Sequence, residues 1–239
     1  MAFPTTRKDD VVETLHGREI ADPYRWLEDP DSSETRAWVA EQNAHTRAHL
    51  EGLPGHAEFS ELLRRIMLRP TVGAPVRSGD RYLVARNDGT QPQATWYAAG
   101  TLEELQAGGE VLLDPSSWSE DGTASLAGLA INTSGTLAVY GVSLAGSDEQ
   151  LCRVLDLTTG ERTGDPDVVA RFSTLEWLGD DRTFVYLRYV DIDDAADAPP
   201  RPQVRLHTVG TDPTDDEVVL ELPDEPRVSI WPGMSSDRR

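Results

Sequence analysis

The first catalytic candidate in this chain is a serine that could act as a nucleophile. The run Gly141-Val142-Ser143-Leu144-Ala145 approximates the G-x-S-x-G turn of a serine hydrolase but lacks its second glycine. Such a nucleophile also needs a helix after the turn, a base and an orienting carboxylate, whereas a Gly-Ser turn follows Ser143. The pattern favours a structural serine in a β segment, and we predict no catalytic residue in this chain.

A histidine pair is the first metal candidate. His45 and His49 are spaced i, i+4 within a helical pattern and could in principle hold one ion. Thr46 stands where an H-E-x-x-H motif has glutamate, Arg47 would oppose a cation, and no third ligand is evident. We therefore expect two solvent-facing histidines, and neither a metal site nor a cofactor.

An acidic cluster is the second metal candidate, and it consists of Asp191, Asp193, Asp194 and Asp197. Its spacing lacks the glycine and the terminal glutamate of a calcium-binding EF-hand loop. A hydrated surface loop that ends in two prolines is the better interpretation.

The elements that must position any site begin with a helical region from Asp31 to about Arg69. Asp31 and Glu34 have the spacing of a capping box, and Pro54 with Gly55 interrupts the helical pattern. A second amphipathic run follows and ends at Pro70. Its apolar residues share one helical face, which needs a partner surface: Phe59, Leu62, Leu63, Ile66 and Met67.

After Pro70 the apolar pattern has a period of two, so this part is expected to be all-β. Six strands are predicted: Arg81–Arg86, Thr95–Ala98, Leu137–Val142, Leu151–Leu155, Thr183–Tyr189 and Val204–Val209. One turn recurs at intervals of about 50 residues, as Ser78–Arg81, Thr133–Thr136, Gly179–Arg182 and Ser235–Arg238. Such a repeat indicates β-propeller blades, and propellers typically close with 4 to 8 of them. We therefore expect an incomplete propeller of about three blades, truncated at the start of a fourth repeat.

Composition narrows the class of protein. The 239 residues include 42 acidic and 22 basic side chains, a net charge of −20 that disfavours nucleic acid and anionic lipid as partners. No apolar stretch is long enough for a membrane span, and the N-terminal MAFPTTRKDD lacks the apolar run of a signal peptide. A single cysteine, Cys152, also suits the cytoplasm. The glycosylation pattern at Asn132 has no consequence without secretion.

Several segments carry a resemblance to a known family. ADPYRWLEDPDS (21–32) and ETRAWVAEQN (34–43) resemble the N-terminal signature of prolyl oligopeptidases, and five later segments resemble its first propeller blades in the same order. These are LDPSSWSEDGTASLAG (113–128), AVYGVSLAGSDEQ (138–150), FSTLEW (172–177), VGTDP (209–213) and LPDEP (222–226). The resemblance covers nearly the whole chain.

That resemblance implies a seven-bladed propeller over an α/β-hydrolase domain that carries a Ser, Asp and His triad. Residues 1–70 would be a helical segment that docks on the hydrolase domain, and 71–239 would be the first part of the propeller. The complete enzyme would be a serine endopeptidase that cleaves short peptides after proline, with the propeller limiting access by size. This chain lacks the family's hydrolase domain and is expected to be inactive alone.

Two residues acquire roles from the same resemblance. Phe172 matches an aromatic that lines the outer part of the substrate pocket, and the alternative is a phenylalanine of the blade core. Asp148 matches an aspartate at the hydrolase-facing surface, where it could pair with an arginine of that domain. The alternative is a turn-forming aspartate. Glu149 stands where the family often has tryptophan.

A different class of function remains open, in which the chain is a stand-alone β-propeller-like binding module without catalysis. A WD-repeat scaffold is disfavoured, because the WD and GH signatures are absent. With the apolar face of the second helix and the edges of the last blade uncovered, we expect the chain alone to be marginally stable or to aggregate.

Overall fold

A computed structural model of the chain describes residues 3–78, 80–190, 200–222 and 228–235. The chain divides into two compact units, Met1–Leu68 and Arg69–Arg239, whereas the sequence placed the boundary at residue 70.

The first unit begins with a hairpin of two strands, β1 (Val12–Leu15) and β2 (Arg18–Ala21). His16 and Gly17 connect them, both at positive φ, as a two-residue type I′ turn requires. Sequence reasoning did not predict this hairpin. Two helices follow, α1 (Ser33–Glu51) and α2 (His56–Met67).

The start of α1 corrects one expectation. Ser32, not Asp31, caps the helix, because the Ser32 hydroxyl accepts a hydrogen bond from the Thr35 backbone N–H at 3.1 Å. The Asp31 backbone N–H instead bonds the carboxylate of Asp29 at 3.0 Å. Gly52 closes the helix, two residues before Pro54.

Thr35 is the only residue with a buried side chain among the described residues of the first unit. The apolar stripe predicted for α2 is exposed, with Phe59 at 61% and Met67 at 74%. The helix thus has an apolar face without a core of its own beneath it.

The second unit consists of three antiparallel sheets, which we call blades 1, 2 and 3 in chain order. Blade 1 contains five strands: β3 (Thr71–Val72), β4 (Val76–Ser78), β5 (Arg81–Asn87), β6 (Thr95–Ala99) and β7 (Glu110–Leu113). The short strands β3 and β4 share one edge of β5, so the sheet is four strands wide.

Blade 1 also corrects the expectation that this part is all-β. A five-residue helix, α3 (Leu102–Gln106), lies between β6 and β7. Thr101 and Glu104 form a reciprocal capping box at its start, which satisfies two helix-terminal N–H groups. Leu105 is buried and anchors the helix on the sheet.

Blades 2 and 3 are meanders in which each strand pairs with the next along the chain. Blade 2 contains β8 (Ser125–Ile131), β9 (Leu137–Ser143), β10 (Glu149–Asp156) and β11 (Val168–Arg171). Blade 3 contains β12 (Glu176–Trp177), β13 (Thr183–Val190), β14 (Arg201–Thr208) and β15 (Glu217–Glu221). All six predicted strands are present, as β5, β6, β9, β10, β13 and β14.

The core lies between the sheets. Trp177, Phe184 and Tyr186 of blade 3 pack with Val139 and Cys152 of blade 2 in one buried cluster. A second cluster joins blade 1 to blade 2, and a third covers the outer face of blade 3 with residues of the segment 228–235. The expected mainly β fold with an incomplete propeller of three blades is therefore confirmed. Every strand pair in the described ranges is antiparallel, unlike the mostly parallel sheet of an α/β-hydrolase.

Polar contacts also join blade 2 to blade 3 through the recurring turn. The Asp181 carboxylate accepts hydrogen bonds from the backbone N–H groups of Thr133 at 2.6 Å and Ser134 at 3.1 Å. The Asp181 carbonyl accepts from the Asn132 side chain at 3.0 Å. We call this contact the Asp181 clasp. It shows that corresponding turns of successive repeats lie side by side.

Candidate functional site

The structure brings the two predicted site residues, Asp148 and Phe172, to the same end of blade 2. Asp148 directly precedes β10 and Phe172 directly follows β11, and these strands are antiparallel neighbours. The Phe172 backbone N–H donates to the Asp148 carbonyl at 3.5 Å. The Gln150 side chain donates to the Ser173 carbonyl at 2.9 Å and ties the same two segments together.

Phe172 is held away from the blade core. Its φ of 50° lies in the left-handed region, which few residues other than glycine adopt. The side chain is 51% exposed and meets the ring of Tyr189 edge-on at a centroid distance of 5.9 Å. An aromatic ring fixed at one edge and open on the other side can offer apolar contact to a ligand.

Arg171 links these residues into one group. Its guanidinium lies 5.1 Å from the Phe172 ring centroid and 5.8 Å from that of Tyr189, within cation–π range. One of its nitrogens lies 3.8 Å from the Asp148 carboxylate. Asp148 thus has a charged partner within the chain, and its side chain stays half exposed. An arginine contact from another domain remains a prediction for it, as does the pocket role of Phe172.

A groove of about 280 Å³ opens beside this group, between blades 2 and 3. It is lined by Glu149, Val169, Ala170, Arg171, Arg188, Tyr189 and Val190. Sequence reasoning missed Arg171, Tyr189 and Arg188. The sequence offered little evidence for them. Arg171 lies just outside the FSTLEW segment, and Arg188 and Tyr189 lie at the end of a strand that was predicted only as part of the core.

The remaining candidates have structural roles. Ser143 is buried, and its hydroxyl donates to the Ser147 carbonyl at 2.6 Å within the β9–β10 hairpin, so it lacks the setting of a nucleophile. Asn132 is buried, with its side-chain oxygen accepting from the backbone of Thr136 and Leu137. It is therefore not available as a glycosylation acceptor in the folded chain.

Cys152 is shielded from solvent inside blade 2. Burial, and secondarily the charge of Asp167, raises the pKa of its thiol to about 12, so the thiolate is not formed near neutral pH. The cysteine therefore behaves as an apolar core residue in the folded protein.

Two metal candidates were considered from the sequence, the histidine pair and the acidic cluster. His45 lies against Phe3 at a centroid distance of 4.9 Å, on the same helix as His49. Within the described ranges, no three His, Cys, Asp or Glu side chains are grouped as ligands. Asp191, Asp193, Asp194 and Asp197 lie outside those ranges.

Membrane insertion through a helix finds no support in the described residues, where each helix is too short or too polar to cross a bilayer.

Comparison with known proteins shows which proteins this chain resembles in sequence and fold. The family model of the N-terminal β-propeller domain of prolyl oligopeptidase matches residues 3–239. A prolyl endopeptidase of Elizabethkingia meningoseptica is 32% identical over 245 residues, covering 100% of this chain and 34% of the relative. Prolyl oligopeptidase ophP of Omphalotus olearius is 33% identical over 253 residues, covering 94% and 34%. The chain spans about a third of the length of the curated relatives it matches.

Solved structures with a similar fold belong to proteins with the same kinds of names. A structure from a study of two prolyl endopeptidases superimposes with a TM-score of 0.71 at 32% identity, over 92% of this chain and 32% of that one. Prolyl oligopeptidase B from Galerina marginata, bound to a 35mer hydrolysis and macrocyclization substrate, gives 0.74 at 25% identity, over 99% and 36%.

Proposed function

This chain belongs to the prolyl oligopeptidase family, as its N-terminal β-propeller domain, and we propose that it serves a serine endopeptidase that cleaves short peptides after proline. Its partners are then the proline-containing peptides and an α/β-hydrolase domain, which supplies the serine, acid and base. The relatives support this activity, because they are named prolyl endopeptidases and oligopeptidases.

The observation that carries the proposal is the group formed by Asp148, Arg171, Phe172 and Tyr189 at the rim of blades 2 and 3. The half-exposed Phe172 ring gives a peptide side chain an apolar surface, and Tyr189 and Arg171 fix the orientation of that ring. Holding a peptide in one place contributes to rate by positioning its scissile bond against groups on the other domain. In this arrangement the chain binds and orients the substrate and transfers no proton itself.

Gating is the second part of the proposed role. Stacked blades surround a limited opening, so short peptides reach an enclosed triad while folded proteins are excluded by size. We expect this activity in the cytoplasm, because the one cysteine, Cys152, is buried and free, as suits a reducing compartment.

A chimaera tests the proposal. In it, this chain replaces the matched third of the Elizabethkingia meningoseptica prolyl endopeptidase, and a fluorogenic peptide with proline before the scissile bond reports hydrolysis. We expect the chimaera to be active and the 239-residue chain alone to be inactive. Phe172→Ala should raise KM about tenfold with a smaller effect on kcat, because it removes roughly 1–2 kcal/mol of apolar binding contact.

Val111→Ala is the matched control, since Val111 is an exposed apolar residue on the outer strand of blade 1. A folded chimaera without peptidase activity contradicts the proposal, and so does hydrolysis by the isolated chain after contaminating peptidases are excluded. If Phe172→Ala changes KM no more than the control does, the pocket role of Phe172 is wrong.

A stand-alone binding module is the second candidate. The groove between blades 2 and 3 favours it, because these two blades already form a concave surface of about 280 Å³ that can receive a ligand. A tight, specific peptide complex of the isolated monomer, together with an inactive chimaera, would support this candidate over the peptidase.

A further inference from the structure

The groove between blades 2 and 3 holds two guanidinium groups without hydrogen-bond acceptors. Arginine carries five N–H donors, yet neither Arg171 nor Arg188 donates a hydrogen bond to any residue that the structure describes. The Nε atom of Arg171 is buried and unpartnered. The nearest carboxylate to Arg171, that of Asp148, lies at 3.8 Å, which is an ion-pair distance beyond hydrogen-bond range.

Such donors favour a ligand with acceptor oxygens. A buried N–H without an acceptor has lost its hydration without compensation, so an oxygen brought within about 2.9 Å is stabilised. The rigid guanidinium fork matches the two oxygens of a carboxylate better than it matches a single carbonyl. Val169 and Val190 supply apolar surface beside the arginines for the chain that carries the carboxylate.

The groove also contains one acidic side chain. Glu149 lines it from β10, directly opposite Arg171 in the β10–β11 ladder, and is exposed at the rim. Its charge opposes an anionic ligand, although at an exposed position the effect is small. Neutralising Glu149 should therefore strengthen the binding of an anionic ligand, whereas neutralising either arginine should weaken it.

We propose that this groove is a carboxylate-binding subsite, in which Arg171 and Arg188 receive an acidic group of a bound peptide beside Phe172. Arg171 contacts both the Phe172 ring and the groove, so the apolar and anionic parts of one ligand lie next to each other. That the ligand is a substrate peptide rests on the proposed function, whereas the carboxylate site rests on the groove alone.

Arginine side-chain NMR tests the subsite directly on the 239-residue chain. The sample carries ¹⁵N-arginine, and the variants Arg171→Lys and Arg188→Gln assign the two Nε–Hε signals. Three peptides are titrated: Ac-Ala-Glu-Ala-Pro-amide, Ac-Ala-Gln-Ala-Pro-amide, and Ac-Ala-Gln-Ala-Pro with a free C-terminal carboxylate. We expect saturable shifts of both signals with a carboxylate-bearing peptide and none with the neutral one.

The variants sharpen the result. Arg188→Gln should weaken binding about tenfold, as the loss of a charge-assisted hydrogen bond implies, and Glu149→Gln should strengthen it about twofold. Arg65→Gln on α2 is the matched control, because it removes the same charge from the other unit. A shift with the Glu peptide alone identifies a side-chain carboxylate, and a shift with the free acid alone identifies a terminal one.

Equal shifts with the neutral peptide, or no shift with either acidic peptide, would overturn the subsite. An active chimaera with unresponsive arginine signals would reject the subsite and leave the peptidase proposal standing. Responsive signals with an inactive chimaera would do the reverse.

Discussion

The two units of this chain use apolar residues in opposite ways. In the described part of residues 69–239 a core of large apolar side chains is buried between sheets, as with Trp177 at 1% exposure, although Phe172 and Trp231 are exposed. In residues 3–68 they form an exposed stripe on α2, and only Thr35 is buried. The blades thus have a hydrophobic core of their own, whereas α2 has an apolar face that is exposed. The difference indicates that the first unit contributes to stability only where another surface covers that face.

The largest expected effect comes from truncating a side chain in the core between blades 2 and 3. Trp177→Ala should lower the free energy of unfolding by about 3–5 kcal/mol, because it leaves a cavity and removes the indole N–H that donates to the Ala130 carbonyl at 2.9 Å. Urea unfolding followed by circular dichroism measures the loss. Trp177→Phe, which keeps an aromatic ring, should cost less and covers the case in which the alanine variant does not fold.

The matched substitution in the first unit is Leu62→Ala, on the exposed stripe of α2. It should change the same free energy by less than about 0.5 kcal/mol. Equal losses for Trp177→Ala and Leu62→Ala would contradict the contrast between the units.

The second test breaks the Asp181 clasp. Asp181→Ala removes the acceptor of two backbone N–H groups and also places alanine at a φ of 59°, so we expect a loss of about 1–2 kcal/mol. Asp181→Asn tolerates that φ and keeps one acceptor oxygen, so it should lose less. The single thiol of Cys152 reports the opening of blade 2, since it reacts with thiol reagents only when exposed. A reaction rate unchanged in Asp181→Ala would argue against the clasp.

The third test measures how the stability of the second unit depends on acidic pH. In four turns of the second unit an aspartate accepts hydrogen bonds from the backbone N–H and the hydroxyl of the threonine two residues later: Asp88, Asp121, Asp156 and Asp212. Hydrogen bonds from the threonine hydroxyl and backbone N–H lower the pKa of each aspartate. A carboxyl whose folded pKa is lowered stabilises the fold fully above its ordinary pKa of about 3.9 and loses that contribution as the pH falls through the folded value.

Asp156→Asn should therefore lower the melting temperature slightly at pH 6, and the difference from the parent chain should disappear in strong acid. Melting curves across the acid range measure this. Asp10→Asn, in the first unit, is the control, and a pH-independent difference for Asp156→Asn would contradict the expected titration.

The smallest effect on stability is expected on the exposed face itself. Replacing Phe59 and Met67 by glutamine should leave the free energy of unfolding within about 0.5 kcal/mol, while reducing self-association of the chain. Sedimentation velocity at several concentrations measures that association. Unchanged association in the variant would show that another surface, such as the strand edges, is responsible.

The same contrast explains what could be predicted from sequence. The six predicted strands are the paired strands β5 with β6, β9 with β10 and β13 with β14, whose apolar residues are buried in the cores. The edge strands were missed, because β12 has two residues and β15 is mostly exposed, so neither has a clear alternation. The β1–β2 hairpin was missed because His16-Gly17 is a weaker turn signal than Asn-Gly or Asp-Gly.

The candidate site was predictable only in part. Phe172 and Asp148 were proposed through their resemblance to a family, but their proximity depends on the β10–β11 pairing, which places Glu149 opposite Arg171. Arg171, Arg188 and Tyr189 acquire their role from contacts between two blades. No local pattern in a sequence records such contacts.

The Asp181 clasp has a direction, since the acceptor stands on the later repeat and the donors on the earlier one. Asp80 occupies the acceptor position in the turn of blade 1, and its side chain is fully exposed beside Arg77 at 3.9 Å. Gly135 stands at this position in the turn of blade 2 and has no carboxylate. Among the described residues the clasp therefore joins blade 2 to blade 3 and has no counterpart between blades 1 and 2.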